Sequence, residues 1–148
     1  MPANNNPIYP LAAKPSTVAI TAANTRTDGN GTIGTDIFLA FTAGTNGSRI
    51  TKAQWTPVNS VISTATTATV GRLFLSQVGS GATTPGTNVW SIGEYTLVTQ
   101  TPSPTAAVSP IVVTLDLFLP SGTFLLATTH HVPAANTSQH LTIYGADY

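Results

Sequence analysis

Short runs of β-branched and aromatic residues, each closed by a cluster of turn residues, follow one another along most of this 148-residue chain. Such residues favour the pleated, half-buried environment of a β-strand. The candidate strands are residues 17–23, 35–43, 49–56, 68–77, 88–99, 111–118, 123–130 and 140–145. No window carries a helical stripe of useful length. Eight short strands at this spacing predict an all-β sandwich or barrel.

Alternating polarity predicts which side chains of these strands share a face. In the second run, Ile37, Leu39 and Phe41 are expected on one face. In the fourth and sixth runs, the apolar residues expected to share a face within their strand are Leu73 and Leu75, and Ile111, Val113, Leu115 and Leu117. This period of two is typical of strands with one buried face.

The turns and the strand number indicate the topology. Asn46-Gly47 lies between the second and third runs at the distance of a β-hairpin. Eight antiparallel strands are the number of a jelly roll, so we expect a jelly-roll-like β-sandwich. An immunoglobulin-like sandwich is the alternative, because strand number alone does not fix the order of strands.

The first 16 residues predict an extended N-terminal arm ahead of a single domain at 17–148. Proline disfavours helix and favours an extended path, and the arm contains Pro2, Pro7, Pro10 and Pro15. Ile8, Tyr9 and Leu11 are the candidate protein-interface residues, since an arm with apolar anchors is often tied to another chain. A frayed terminus is the alternative.

Charge is scarce in this sequence. Only 7% of residues are Asp, Glu, Lys or Arg, and the formal net charge is zero, whereas about 25% is typical of a soluble domain. The polar surface must therefore consist of Thr, Ser, Asn and Gln, with little of the self-repulsion that keeps monomers apart. This composition favours a protein that lives in an assembly.

The same scarcity argues against nucleic acid and membrane surfaces as partners. Binding a phosphate backbone requires clustered Lys and Arg, and the five basic residues are scattered among five acids. The N-terminus has neither the basic nor the apolar region of a signal peptide. We therefore expect a protein made and kept in the cytoplasm unless it leaves inside a particle.

Motifs that carry chemistry are weak here, so we expect no cofactor and no metal. The segment 29–34 has the letters G-x-G-x-x-G, but the dinucleotide fingerprint needs a strand before it and a helix after it. The best metal candidates are His130, His131 and His140, with Asp116 or Asp147 as an oxygen ligand. Adjacent histidines on a strand point to opposite faces, so only one of the pair can join His140.

An enzyme is not expected either. There is no cysteine and no G-x-S-x-G nucleophile elbow, and the chain holds five acids in total. Trp55, Trp90, Tyr95 and Tyr144 suggest a carbohydrate-stacking platform as an alternative. Aromatic residues on strands are more often core residues or interface anchors.

Several segments give the chain a resemblance to a known group of proteins. They are Thr25 to Thr32 (TRTDGNGT), Phe41 to Ile50 (FTAGTNGSRI), Gly71 to Leu75 (GRLFL), Leu119 to Gly122 (LPSG) and Ile143 to Asp147 (IYGAD). In this order the chain, over roughly residues 20–147, resembles small β-rich structural proteins of tailed bacteriophages and prophages.

The resemblance implies a virion protein, specifically a capsid cement or decoration protein that binds and stabilises the major capsid protein lattice from the capsid exterior as a dimer or trimer. It implies no catalytic residue. The alternative within the same group is a tail-fibre or receptor-binding β-domain that recognises glycans.

Overall fold

A computed structural model describes residues 12–60 and 64–148 of the chain. Its strands are β1 (Ala12–Ile20), β2 (Gly31–Ile33), β3 (Phe38–Thr42), β4 (Ser48–Asn59), β5 (Thr69–Ser76), β6 (Gly81–Thr83), β7 (Val89–Leu97), β8 (Ile111–Leu119), β9 (Phe124–Thr129) and β10 (Thr137–Asp147). Each of the eight predicted runs overlaps one of the longer strands. The two strands that were not predicted, β2 and β6, are three residues long each. The described residues contain no helix, and the fold is all-β as predicted.

The long strands form two antiparallel four-stranded sheets. Sheet A has the order β1-β10-β4-β8, and sheet B has the order β3-β9-β5-β7. When the eight long strands alone are numbered along the chain, these orders read 1-8-3-6 and 2-7-4-5, which is the jelly-roll arrangement. The jelly-roll prediction is therefore confirmed, and the immunoglobulin-like alternative is wrong. Strands β2 and β6 pair only with each other, as a short ribbon.

The main core lies between the two sheets. Trp55 of β4 is its largest side chain and is 1% exposed. Sheet A contributes Ile20, Ile50, Ala53, Trp55, Leu119, Leu141 and Ile143, and sheet B contributes Ala40, Phe41, Leu73, Leu97, Leu125 and Ala127. Burial alternates along β8 and confirms its predicted faces. Leu73 and Leu75 share the main core, as predicted.

A second, smaller core lies on the opposite side of sheet B. Ile37, Phe74, Val89 and Leu126 are buried there, with Ile33, Leu39 and Phe124 packed around them. The β2–β6 ribbon and the loop before it cover this side, since Ile33 of β2 packs on this core and a Cβ on Gly29 would lie 2.8 Å from the ring of Phe74. The central strands β5 and β9 of sheet B are therefore buried on both faces.

The predicted common face of Ile37, Leu39 and Phe41 is wrong. The register of β3 against β9 shifts between Leu39 and Phe41. An extra residue in one strand moves the following side chains to the other face. Ile37 and Leu39 therefore pack in the second core, whereas Phe41 packs in the main core.

The predicted hairpin at Asn46-Gly47 is also wrong. The turn is present, with the Gly47 amide donating to the Gly44 carbonyl at 3.0 Å and Gly47 at a φ of 91°. However, β3 belongs to sheet B and β4 belongs to sheet A, so the turn crosses between the sheets.

The predicted arm overlaps β1. Residues 12–16 pair with β10 in sheet A, so the predicted boundary after residue 16 falls inside a strand. A cut after residue 14 would remove Lys14, whose ammonium lies 3.0 Å from Asp147 and donates to the Thr42 carbonyl at 2.8 Å. A truncation that tests the arm alone must therefore end at residue 11. The candidate anchors Ile8, Tyr9 and Leu11 lie outside the described residues.

Candidate interaction surface

The outer face of sheet A is a surface that the described residues leave uncovered, with Pro15, Thr17, Val112 and Thr114 exposed on its outer strands. The β2–β6 ribbon covers the corresponding face of sheet B, and no described residue packs over sheet A in this way. One row across the four strands runs Thr17, Thr142, Gln54 and Val112. The next row runs Pro15, Tyr144, Lys52 and Thr114. We call these eight residues the sheet A face.

The sheet A face is nearly uncharged and its polar groups bond to one another. The hydroxyls of Thr17 and Thr142 lie 3.0 Å apart, and the Tyr144 hydroxyl donates to the Gln54 side-chain oxygen at 3.4 Å. Its one cation, Lys52, lies 4.1 Å from the centre of the Tyr144 ring. At the end of the face, Arg49 donates to Asp116 from Nε and Nη2 at 2.9 and 2.7 Å. That contact raises the pKa of Arg49 and leaves the pair neutral as a whole.

The edge strands of both sheets, in contrast, contain a proline or bulges that hinder the pairing of a further strand. Pro15 lies in the middle of edge strand β1, where a missing amide is tolerated. The edge strand β8 is bulged at Asp116, which has a φ of 47°. The edge strand β7 is bulged opposite Leu73 and Phe74, and β3 is a bulged strand of five residues. The face of sheet A is therefore better suited to contact a partner than its edges.

Each of the five side-chain carboxylates forms a hydrogen bond or an ion pair within the domain. Asp28 accepts from the Asn30 amide, and Asp36 accepts from the Thr32 amide and from Asn24. The remaining three form ion pairs, which are Glu94–Arg72, Asp116–Arg49 and Asp147–Lys14. The G-x-G-x-x-G segment belongs to the first of these loops, which leads into a strand, so it serves as a glycine turn.

The histidines do not come together with an acid as the metal hypothesis requires. His130 follows β9 of sheet B, whereas His140 lies on β10 of sheet A. The ring of His130 touches His131 at 4.9 Å, and its Nδ1 lies 3.2 Å from Nη1 of the buried Arg72. Since arginine can only donate, His130 Nδ1 is the acceptor. Among residues 12–60 and 64–148, no three metal-ligating side chains cluster.

Comparisons with known proteins identify no relative. No family model matches the chain, and no curated protein and no solved structure does so either. The resemblance to phage structural proteins therefore stays a prediction. No described segment is a helix long and apolar enough to cross a bilayer.

The aromatic residues considered for a sugar platform are dispersed over the molecule. Trp55 is in the main core, and Tyr95 packs against it and is partly buried, which raises the pKa of its hydroxyl. Tyr144 is covered by Lys52 on the sheet A face, and Trp90 is 41% exposed on the edge strand of sheet B. They do not form one stacking surface.

A small cleft opens between the two sheets where β7 and β8 form neighbouring edges. No water-sized sphere fits between its walls, so it falls far below the range of about 300–1,000 Å³ for small-molecule pockets. Its lining is uncharged and consists of Trp55, Pro57, Leu97, Val98, Gln100, Ile111 and Gln139. The Trp55 indole N–H has no hydrogen-bond acceptor among the described residues. Sequence reasoning missed this cleft, because its lining comes from four strands and one loop.

Proposed function

We propose that this chain is a structural virion protein, a capsid cement or decoration protein that binds and stabilises the major capsid protein lattice of a tailed bacteriophage. The observation that carries the proposal is the uncovered, nearly uncharged sheet A face. The choice of the major capsid protein as the partner is based on the resemblance of residues 20–147 to phage structural proteins. A jelly roll by itself hosts many functions, so the fold is compatible with the proposal without selecting it.

The size and chemistry of the face suit attachment to a repeating protein surface. The whole outer side of sheet A, of which the sheet A face is the central part, has four strands about 4.8 Å apart and nine residues long and covers about 600 Å². A standard protein interface buries roughly 800 Å² on each partner, so the outer side of sheet A and its flanking loops together reach the required area. Hydroxyls and amides bind by neutral hydrogen bonds, which salt screens little. Copies bound to the assembled shell stabilise it by mass action, and the protein performs no catalysis in this role.

Charge placed on the face tests this proposal. The variant Gln54→Glu/Thr142→Glu puts two carboxylates on the central row, where they must be desolvated on binding. We expect it to lower the affinity for purified capsids at least about tenfold, which corresponds to about 1.4 kcal/mol. Sedimentation of capsids with fluorescently labelled protein measures the occupancy. Binding of the unmodified protein should change little as NaCl is raised.

The matched control is Ala82→Glu. Ala82 is exposed on β6, on the opposite side of the molecule, and the new carboxylate should leave capsid occupancy unchanged. Equal binding by the face variant and this control would contradict the role of the sheet A face. If the unmodified protein binds no capsid but gives glycan-array signals that Trp90→Ala removes, the receptor-binding alternative replaces the proposal.

A further inference from the structure

Two asparagine–glycine pairs occur in the chain, Asn30-Gly31 and Asn46-Gly47. Asparagine is one of the thermolabile residues. A following glycine makes it more so, because glycine has no Cβ to keep its backbone nitrogen away from the asparagine side chain. The reaction is deamidation, which turns the asparagine into an acid without an enzyme. The two pairs lie in different surroundings, and this difference decides which of them reacts in the folded protein.

Deamidation has two steps, and both use only the chain and water. The glycine backbone nitrogen gives its proton to the solvent and attacks Cγ of the asparagine side chain. A C–N bond forms, and the side-chain nitrogen takes up a proton and leaves as ammonia, so that a five-membered succinimide ring remains. Water then adds to one of the two ring carbonyls and opens the ring to aspartate or isoaspartate. The peptide plane between the two residues must turn before the nitrogen reaches Cγ.

The peptide plane of Asn30-Gly31 is held by buried side chains. The Asn30 carbonyl accepts from Nδ2 of Asn24 at 3.0 Å, and Asn24 is 4% exposed. Gly31 pairs with Thr83 in the β2–β6 ribbon, and its carbonyl accepts from the Thr83 hydroxyl at 3.2 Å. The Asn30 amide also donates to Asp28 at 3.0 Å. Turning this plane breaks the bond from Asn24 and pulls Gly31 away from its partner strand.

The pair Asn46-Gly47 lies in the turn between β3 and β4, where Asn46 is exposed. A backbone hydrogen bond from the Gly47 amide to the Gly44 carbonyl closes this turn. The Asn46 side-chain nitrogen donates to the backbone oxygen of Tyr148 at 3.3 Å, which is just beyond the usual range of about 2.7–3.2 Å. Opening of this one turn brings the Gly47 nitrogen into water and separates no paired strands.

We propose that Asn46 is a site of spontaneous deamidation and that the modification loosens the turn between the two sheets, whereas Asn30 is protected by its surroundings. The modification goes beyond the proposed attachment to capsids. It requires no capsid, so its failure is distinguishable from failure of the proposed function.

Deamidation changes the contacts around the turn. A carboxylate at position 46 accepts hydrogen bonds only, so it repels the Tyr148 oxygen to which the amide donated. In isoaspartate the main chain also runs through the former side chain, which lengthens the turn between Gly44 and Ser48. The bond from the Gly44 amide to the Ser48 hydroxyl, at 2.8 Å, spans this turn. The Tyr148 amide donates to the Gly47 carbonyl at 3.2 Å, so it too is released when the turn loosens.

Incubation of the purified full-length chain in mildly alkaline buffer tests the site. Peptide mapping by mass spectrometry should show conversion at least about fivefold faster at Asn46 than at Asn30. At Asn30 at least one more hydrogen bond must break, and each such bond is worth about a factor of five in rate. In denaturing urea both surroundings are lost, and the two asparagines should convert at similar rates.

Two glutamine variants separate the sites. Asn46→Gln should abolish the acidic product at position 46, because glutamine would have to close a larger, six-membered ring. Asn30→Gln is the matched control and should leave conversion at Asn46 unchanged. Equal conversion of Asn30 and Asn46 in the folded protein would overturn the assignment of the site. The assignment would also fall if Asn46 converted in urea but not in the folded protein.

The effect on the turn is measured on the modified chain itself. Deamidation adds one negative charge to a chain of zero formal net charge, so anion-exchange chromatography separates the two forms. Amide hydrogen exchange at Gly44 and Tyr148 should be several-fold faster in the modified form, while exchange at the buried Leu141 should not change. Unchanged exchange at Gly44 and Tyr148 would overturn the proposed loosening of the turn.

Discussion

Replacing Phe74 by alanine should destabilise the protein by about 3–5 kcal/mol, the usual cost of truncating a fully buried phenylalanine. Phe74 is 0% exposed and is the largest side chain of the second core. Its ring packs beneath Gly29, whose φ of 82° lets the loop approach closely. A domain of this size has about 5–15 kcal/mol of total stability, so the variant should lose a large share of it. Urea unfolding followed by circular dichroism measures the change.

Phe74→Ala should also destabilise one part of the protein more than the rest. Loss of the ring should release the β2–β6 ribbon first, because that ribbon is held to sheet B through the second core. Amide hydrogen exchange should therefore accelerate at Thr83 and its neighbours more than at Leu141 in sheet A. Phe118→Ala is the matched control, since Phe118 is 60% exposed, and it should change stability by less than about 1 kcal/mol. Equal effects of the two variants would contradict the existence of a second core.

The sequence predicted strands well and their partners poorly, for physical reasons. The period of two in residues 111–118 reports one buried face, and β8 follows it. The bulge after Leu39 cannot be recognised from the alternation of polar and apolar residues. The extra residue of β3 is defined only by how β3 pairs with β9. The turn at Asn46-Gly47 fixes the local backbone, but whether the next strand joins the same sheet depends on distant pairings. Strands of three residues, such as β2, are too short to show a period.

The sheet A face could not be predicted from the sequence, because it too depends on which strands pair. Thr17 and Thr142 are 125 residues apart in sequence, and only the pairing of β1 with β10 brings their hydroxyls together. The scarcity of charge did anticipate the character of the surface. It could not indicate which sheet is covered by the chain and which is left free.

A polar cluster around the buried Ser48 ties both ends of the described domain together and should control its behaviour in acid. Ser48 is 0% exposed, and its hydroxyl donates to Asp147 at 2.5 Å while accepting from the Gly44 amide at 2.8 Å. Lys14 of β1 contacts the second carboxylate oxygen of Asp147. The hydrogen bond from Ser48, with a smaller contribution from Lys14, lowers the pKa of Asp147 below its ordinary value of 3.8.

The direction of this pKa shift fixes the sign of the pH dependence. A carboxylate whose pKa is lower in the folded state favours folding when it is ionised. Its contribution is complete above the unfolded pKa, near pH 4, and disappears as the pH falls through the folded pKa. Asp147→Asn should therefore lower the free energy of unfolding at neutral pH and flatten its decline below about pH 4. Urea titrations at a series of pH values measure both effects.

Ser48→Ala should destabilise the domain by about 1–3 kcal/mol at neutral pH, because the Gly44 amide loses its acceptor and Asp147 loses its strongest donor. The Asp147 carboxylate should then titrate closer to its ordinary value, which ¹³C NMR of the carboxyl carbon detects directly. Ser138→Ala, at a position that is not fully buried on β10, is the matched control and should leave that titration unchanged. If Ser48→Ala also left it unchanged, the hydrogen bond would not be the cause of the lowered pKa.

Because the cluster joins β1 and β10 to the end of β3, its loss should expose the start of β1 to proteolysis before the sandwich unfolds.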